Sequence, residues 1–253
     1  MLHSSGAFQY TRQLPAPELA GFVESYWELR YHGDEEKPVI LLPDGRIDLS
    51  FTRREPYRLA LHGLESRASR AVIPPHTAMM VISFYPTALD LLFAAYLPLR
   101  PDSVQVLPAD HPLLAPGGAN TFADFCIRAD TLLPKLLAGS DPDPRKLKLF
   151  RQLYASNGAV SVAEASDHAG WSSRQINRWF RSRLGMPLKT YIDILRFRAS
   201  FGHIREGRLF PEQDFADQSH FIREVRRFAG VSPKALQKNE NDRFIQFSTL
   251  PRS

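Results

Sequence analysis

The sequence predicts an α+β protein: a β-rich N-terminal half with a few helices, followed by an all-helical C-terminal half. Short strand-like runs separated by turn residues dominate the first half, whereas apolar residues recur at helical spacing in the second. Residues 1–144 contain 12 basic and 17 acidic residues, a net charge of −5, and residues 145–253 carry +10. We therefore expect two domains, 1–140 and 141–253, with the boundary in the Asp141–Pro144 segment.

The N-terminal half is expected to form strands at Tyr26–Arg30, Val39–Leu42, Ile47–Phe51, Tyr57–Leu61 and Met79–Phe84. Pro43, Asp44 and Gly45 form a turn between two of them. Helices are predicted at 86–95, with a proline in the first turn, and at Thr121–Leu137. The second of these would act as a helical linker to the other domain.

Residues 161–184 have the pattern of two short helices joined by a tight turn. Ser161 and Glu164 match a capping box, and Gly170 suits the left-handed residue that ends a helix. Ser172 and Gln175 repeat the capping pattern, so a second helix begins at once. This arrangement is typical of a helix-turn-helix, which places its second helix in the major groove of DNA.

The second helix of this pair is predicted to have an apolar and a basic face. Ile176, Phe180 and Leu184 recur every four residues and should anchor it. The candidates for base contacts on the free face are Arg174, Asn177 and Arg178, because arginine pairs bidentately with guanine and asparagine with adenine. The candidates for phosphate contacts are Ser172, Arg181, Arg183, Lys189 and Arg227. The alternative is that the basic face of this helix is exposed to solvent and contacts no DNA.

Two further helices flank this unit. Asp143 and Pro144 have the cap and first-turn residues of a supporting helix. After Pro187, apolar residues from Leu188 to Ala199 predict a long helix. Its expected role is to set the distance and phase between the first unit and a second one, since one turn of B-DNA spans roughly 34 Å.

The second unit contains a helix that Asp217 should cap, with Phe221, Val225 and Phe228 facing inward. Its base-contact candidates are Gln218, Ser219, Ile222 and Arg223. The helix expected before it contains Pro211, and Asp214 replaces the usual turn glycine. We expect that helix to be short or distorted and the second unit to bind DNA more weakly.

These residues resemble the AraC/XylS family of bacterial transcription regulators, over roughly Arg145 to Leu236. The resemblance rests on the small-residue helix, Gly170, Ser172, the basic helix and the long helix that follows. The segments Asp217–Arg223 and Phe228–Lys234 are similar to the C-terminal signature of the same family. Val225 departs from that signature, which has an aromatic residue there.

The resemblance implies a transcription regulator, with activation as the expected sign, and base contacts from the residues named above in both units. It implies double-stranded DNA and RNA polymerase as partners, together with a small-molecule effector or self-association through the N-terminal domain. No cofactor and no catalysis are expected. We find no long apolar run, no signal peptide core and one cysteine, which together favour a cytoplasmic protein that does not span a membrane.

The N-terminal half resembles a domain of unknown function found ahead of some AraC-type DNA-binding domains. Tyr26, Trp27 and Phe51 are the candidates for lining a ligand pocket there, although strand aromatics more often belong to the core. His32, His62, His76 and His111 lack metal-ligand spacing, so no metal site is predicted. Asp44 and Asp48 could be paired acids, but the turn explains Asp44 without catalysis, and no sequence feature marks Asp48 as perturbed.

Two other classes of function stay open at this point. The first is an enzyme domain with a DNA-targeting tail, which the lone Cys126 argues against for methyltransferase chemistry; Cys126 is expected to be a buried, small apolar residue. The second is an adaptor whose recognition helices contact protein. Salt-dependent duplex binding distinguishes a regulator from such an adaptor.

Overall fold

A computed structural model describes residues 2–5, 7–52, 58–209, 215 and 217–249. Strands occupy the first half of this part of the chain. They are β1 (Leu2–Ser5), β2 (Phe8–Gln13), β3 (Val23–Tyr31), β4 (Lys37–Leu41), β5 (Ile47–Thr52), β6 (Arg58–His62), β7 (Ser69–Ile73), β8 (Ala78–Phe84) and β9 (Val104–Val106).

The strands form two antiparallel sheets. The larger has the order β1-β2-β3-β8-β5-β6-β9, and the smaller pairs β4 with β7. Two helices follow β8: α1 (Leu89–Leu92), which lies between short 3-10 turns, and α2 (Phe122–Leu137). The helix predicted over 86–95 is thus broken into three short pieces, whereas the prediction for 121–137 is confirmed.

The large sheet has different neighbours on its two faces, because successive side chains of a strand point to opposite sides. Tyr26 and Phe51 lie on the face that packs against Phe125 of α2, both in edge-to-face contact with its ring. Trp27 and Leu29 lie on the other face and contact the hydrophobic cluster around Val39 of β4. The small sheet therefore lies over one face and α2 over the other.

The C-terminal half is helical. It contains α3 (Pro144–Ala155), α4 (Val162–Ala169), α5 (Ser173–Leu184), α6 (Leu188–Ala199), α7 (Phe201–Arg205), α8 (Gln218–Ala229), α9 (Pro233–Lys238) and α10 (Ile245–Thr249). These observations confirm the predicted fold class. No helix in the described part of the chain is long and apolar enough to cross a membrane.

The helix predicted after Pro187 is confirmed: α6 spans Leu188–Ala199 and contains 12 residues. A short helix, α7, follows after Ser200. The first helix expected in the second unit, around Pro211 and Asp214, falls on residues outside the described part of the chain.

The last helix packs back on the N-terminal half. Gln246 of α10 hydrogen-bonds with both backbone groups of Leu42, at 3.0 and 2.9 Å, and Ile40 pairs with Phe244. Helix α10 and the N-terminal half therefore belong to one packed body. This return is not foreseen in the sequence, since the pairing involves residues about 200 positions apart.

Candidate nucleic-acid interface

The turn between α4 and α5 has the geometry that the sequence predicts. Both capping boxes form, at Ser161 with Glu164 and at Ser172 with Gln175. Gly170 between the two helices has a φ of 61°, in the left-handed region where glycine is least strained. The start of α5 is thereby fixed by its own local sequence.

α5 has a buried and an exposed face. Ile176, Phe180 and Leu184 are fully buried, so the predicted anchoring stripe is confirmed. Arg174, Arg178 and Arg181 are exposed and have no hydrogen-bond or ion-pair partner within the described residues. Because no carboxylate neutralises these guanidinium groups, they remain available to an anionic or hydrogen-bonding ligand.

Asn177 differs from these three arginines. Its Oδ1 accepts from the backbone N–H of Leu188 at 3.2 Å, and its Nδ2 donates to the carbonyl of Ser173 at 2.9 Å. The side chain joins α5 to the start of α6, whose N-cap Pro187 offers no side-chain cap. Both ends of the Asn177 amide therefore have partners within the protein, and a base contact by this side chain would have to replace these bonds.

The phosphate-contact candidates also divide into two groups. Ser172 is the exposed N-cap of α5 and Arg181 is unpaired, whereas three others form ion pairs. Lys189 binds Asp193 at 2.6 Å, and Arg227 binds Glu224 at 3.1 Å; in both pairs the cation is exposed and the carboxylate is largely buried. Arg183 instead pairs with the N-terminal half.

Arg183 is held by Asp90 of α1. Its Nε lies 2.6 Å from Asp90 Oδ1, and Trp179 and Lys146 donate to Asp90 Oδ2. Burial alone would raise the pKa of Asp90, but these three donors outweigh it and the pKa is lowered. Arg183 therefore binds the two halves together, which corrects its assignment as a free phosphate contact.

The second recognition helix, α8, is organised like α5. Asp217 caps it by accepting from His220 N–H at 2.7 Å, and Phe221, Val225 and Phe228 are buried as predicted. Its candidates for base contacts, Gln218, Ser219 and Arg223, are exposed, and Ile222 is partly buried against the core. Sequence reasoning overlooked exposed Arg226, one turn after Ile222, although its spacing on the helix would have indicated it.

The C-terminal ends of both recognition helices contact one region of the N-terminal half. Leu99 N–H donates to the Arg183 carbonyl at 2.9 Å, and Ala68 N–H donates to the Phe228 carbonyl at 2.7 Å. We call residues 63–68 and 99–103 the platform. Asp102 holds its two segments together by accepting from Ser66 N–H and Oγ at 2.8 and 2.5 Å.

A second link between the halves runs through α6. Arg198 donates to Glu24 of β3 at 2.6 Å, and Arg46 and Arg12 donate to the same carboxylate. Burial acts to raise the pKa of Glu24, but the arginines dominate and lower it. Tyr191 of α6 also donates to the Gly45 carbonyl at 2.8 Å.

The N-terminal half contains a cavity of about 570 Å³ between the large sheet and the β4–β7 pair. Trp27 lines it, whereas Tyr26 and Phe51 do not. Tyr26 is fully buried on the opposite face, where its hydroxyl donates to Asp130 at 2.6 Å, and Phe51 packs there on Phe125. The ligand-binding prediction is therefore corrected for Tyr26, because strand alternation places it away from the cavity. Phe51 instead lines a separate hollow of about 470 Å³ beside the 3-10 helix at Pro112–Gly118.

The cysteine and the candidate histidines of the first half are buried or bonded to neighbouring residues. Cys126 is fully buried, as expected, and burial raises its pKa to about 12. The four candidate histidines are scattered: His32 contacts Gln9, His62 contacts Ser50, His76 contacts Asp34, and His111 caps a 3-10 helix. In the described ranges, no three His, Cys, Asp or Glu side chains are grouped to hold a metal ion.

Two protein-family models match parts of the chain. Residues 165–239 match the model of a helix-turn-helix domain family, and residues 11–100 match a domain of unknown function (DUF6597). No curated protein matches the chain.

Solved structures of ToxT from Vibrio cholerae show a distant similarity. One is 12% identical, with a TM-score of 0.41, covering 91% of this chain and 97% of the other. Another, bound to a methylnaphthalenyl butenoic acid, is 12% identical, with a TM-score of 0.42 and coverage of 92% and 98%. From its motifs and the helix-turn-helix match, this chain is a DNA-binding transcription regulator with an AraC-type helix-turn-helix domain behind a DUF6597 domain.

Proposed function

We propose that this regulator selects its DNA sites by sequence, through α5 and α8 in successive major grooves, and that its N-terminal half controls the DNA-binding half. The observation that carries the proposal is the free arginine face of α5. Arg174 and Arg178 are exposed near the start of a helix whose opposite side is buried, and no acidic side chain among the described residues neutralises them.

We assign base recognition to the N-terminal parts of α5 and α8, which the platform does not contact. The platform contacts Arg183 and Phe228, which lie in the last turns of α5 and α8. Arg174, Arg178, Ser219 and Arg223 lie nearer the N-terminal ends. A helix that enters the major groove presents its N-terminal residues to the bases, so the contact between the halves leaves room for DNA.

Affinity in this account comes largely from phosphate contacts. Ser172 and Arg181 are the first candidates. Lys189 and Arg227 join them, because their charged groups are exposed although each also binds a largely buried carboxylate. Ser172 also lies at a helix N-terminus, where free backbone N–H groups favour an anion. The net charge of +10 on residues 145–253 supports the same interaction.

The further parts of the proposal concern partners and organisation. We assign residues 1–140 to a sensor and regulatory domain and residues 141–253 to the DNA-binding domain. A small-molecule effector, self-association, contact with RNA polymerase, activation and a cytoplasmic location follow from the kind of regulator that the chain resembles. The cavity beside Trp27 supports the effector.

A selection experiment tests the proposal. The full chain is incubated with fragmented genomic DNA, bound fragments are sequenced, and binding to a recovered duplex is measured from low to high salt. We expect a shared sequence motif and an affinity that falls steeply with salt.

Two variants serve as a matched pair in this selection. Arg174→Ala combined with Arg178→Ala should abolish enrichment of the motif, whereas Arg70→Ala, which removes an exposed cation from β7, should leave it unchanged. Recovery of fragments without a shared motif would overturn sequence-selective binding. Absence of salt-dependent duplex binding would favour a protein-binding adaptor instead.

A further inference from the structure

The cavity in the N-terminal half has an apolar part and an acidic part. Its apolar wall comes from both sheets and from the C-terminal helix α10, and includes Leu29, Val39, Leu41, Ile73, Met79 and Ile245. Side chains of this kind bind a hydrocarbon or aromatic body by removing it from water. The volume of about 570 Å³ is within the range of cavities that hold small organic ligands.

Three carboxylates line the other part: Asp44, Asp48 and Glu65. Asp44 is committed to Arg46, whose Nε donates to it at 2.8 Å. Asp48 has one side-chain donor, Ser83 Oγ at 2.5 Å. Glu65 has no other side chain bonded to it within the described residues, although it is only partly exposed.

The two cations that line the cavity do not balance these carboxylates. Arg46 is occupied by Asp44 and also donates to Glu24 at 3.4 Å. Arg58 is exposed to solvent on β6. Asp48 and Glu65 have no ion-pair partner among the described residues, and burial with other carboxylates nearby raises the pKa of both. A cation placed between them would favour their ionised forms, whereas an anion would oppose them.

Aromatic side chains adjoin the same carboxylates. Tyr10 and Trp27 both line the cavity, with ring centroids 5.8 Å apart. Trp27 Nε1 donates to Ser83 Oγ at 2.8 Å, and Ser83 in turn donates to Asp48. Aromatic faces beside carboxylates are a known means of binding organic ammonium groups, since the ring quadrupole attracts a cation.

We propose that this cavity binds an amphipathic organic cation, an amine or ammonium compound with an apolar body, whose charged group is bound between Glu65, Asp48 and the aromatic pair. This ligand is the effector of the regulator, a statement that rests on the proposed function. The apolar body lies along Leu29, Val39 and Met79.

Glu65 also provides the route from the cavity to DNA. It belongs to the platform, between Leu64, whose carbonyl accepts from Asp102 N–H at 2.9 Å, and Ser66, which is bonded to the side chain of the same residue. Ala68, three residues further on, contacts the end of α8, and Leu99 contacts the end of α5. A charge bound at Glu65 thus acts on the segment that contacts both recognition helices.

Calorimetric titration of the full chain with three matched probes tests the ligand class. Decylamine, decanol and decanoate, each below the concentration at which it forms micelles, share one apolar body and differ in charge. We expect one decylamine per chain, bound about tenfold or more tightly than decanoate, because an ammonium group stabilises the ionised forms of Asp48 and Glu65 and a carboxylate opposes them. Equal or tighter binding of decanoate would overturn the proposal without any variant being needed.

Three variants locate the site. Glu65→Gln and Asp48→Asn should each weaken decylamine binding about tenfold and leave decanol binding unchanged. Glu35→Gln, which neutralises an exposed carboxylate outside the cavity, should have no effect. If Glu65→Gln and Asp48→Asn fold, as judged by circular dichroism, and bind decylamine as well as the parent chain does, the assigned site is wrong.

A separate experiment tests whether decylamine binding changes the affinity for DNA. Decylamine should change the affinity of the parent chain for a recovered duplex about fivefold or more, and this change should vanish in Glu65→Gln. Decylamine binding with no change in DNA affinity would reject the effector role and retain the site. Failure to recover any selected duplex would reject the proposed function, and the calorimetry would still decide the ligand class.

Discussion

Asp90 and Arg183 form an ion pair that ties the first recognition helix to the N-terminal half, with Arg183 Nε 2.6 Å from Asp90 Oδ1. The same carboxylate accepts from Trp179 Nε1 at 2.9 Å and from Lys146. One acidic side chain on α1 therefore sets the position of the C-terminal end of α5 and the packing of α3 against it.

Replacement of Asp90 should destabilise the contact between the two halves. Asp90→Ala is expected to lower the free energy of unfolding by about 2 kcal/mol, because it leaves two cations and an indole N–H without their acceptor. Since the pKa of Asp90 is lowered, this stabilisation is present above the pKa of an unfolded aspartate and is lost as the pH falls through the lowered value.

Urea unfolding of Asp90→Ala, followed by circular dichroism, gives the measurement. Asp124→Ala is the control, because Asp124 forms an exposed pair with Arg128 at 3.1 Å on α2 and should change stability by less than about 1 kcal/mol. Equal losses in the two variants would show that the Asp90 cluster contributes no more than a surface ion pair.

Replacement of Asn177 tests whether this side chain, whose amide has partners within the protein, also contacts a base. Asn177→Ala should leave the Leu188 N–H without its acceptor and lower the free energy of unfolding by about 1 kcal/mol. Its effect on DNA should then be similar for selected and random duplexes. Ser182→Ala, at an exposed site on the same helix, is the control for general effects of substitution. Unchanged stability with a loss confined to one base pair of the selected duplex would assign Asn177 as a base contact.

Asp48 should make the N-terminal half sensitive to pH. Burial, with Asp44 and Glu24 nearby and Arg46 opposing them, raises the pKa of Asp48 to about 7. The folded chain therefore holds this proton more tightly than the unfolded chain, and stability should fall as the pH rises from about 4 to about 7. Asp48→Asn should remove this dependence and add about 2 kcal/mol at pH 8, with a smaller gain at pH 5.

Urea midpoints of the parent chain and Asp48→Asn at these two values of pH check the prediction. The amide keeps an oxygen that can accept from Ser83, so the hydrogen bond itself is preserved. A variant that is less stable at pH 8 than the parent chain would show that Asp48 is ionised and favourably bound in the fold.

Replacement of Arg223 tests whether the second helix-turn-helix unit binds DNA more weakly than the first. Arg223→Ala should reduce affinity for the selected duplex less than Arg178→Ala does, because Pro211 and Asp214 depart from the pattern of a regular first helix in the second unit. Titration of both variants against the same duplex gives the comparison. An equal or larger loss in Arg223→Ala would show that the second unit binds DNA as well as the first.

The helical half could be predicted well from the sequence because its signals are local. Capping residues Ser161, Ser172 and Asp217 lie within three residues of the groups they bind, and Gly170 marks its turn directly. The buried stripe on α5 likewise follows from spacing alone. What spacing did not reveal is that Asn177 and Arg183 already have partners, since Leu188 and Asp90 are brought to them by the tertiary fold.

The N-terminal half was harder to predict because its signals are non-local. β1, β2, β7 and β9 were missed, and exposed Val104 and Val106 of β9 lie on an edge strand of the large sheet. The cavity was missed because its acidic wall joins Asp48 of β5 to Glu65 of a loop. Asp48 between buried Ile47 and Leu49 did carry a signal, since alternation places it on the opposite face.

The most direct test of the central claim, that the exposed arginines of α5 contact base edges, compares two residues of that helix on two kinds of DNA. Arg178→Ala should lose about 1–3 kcal/mol on the selected duplex, little on random duplex, and relax the choice at one or two base pairs. Arg181→Ala should weaken both duplexes alike and reduce the salt slope by about one. An equal loss on both duplexes for Arg178→Ala would contradict the account.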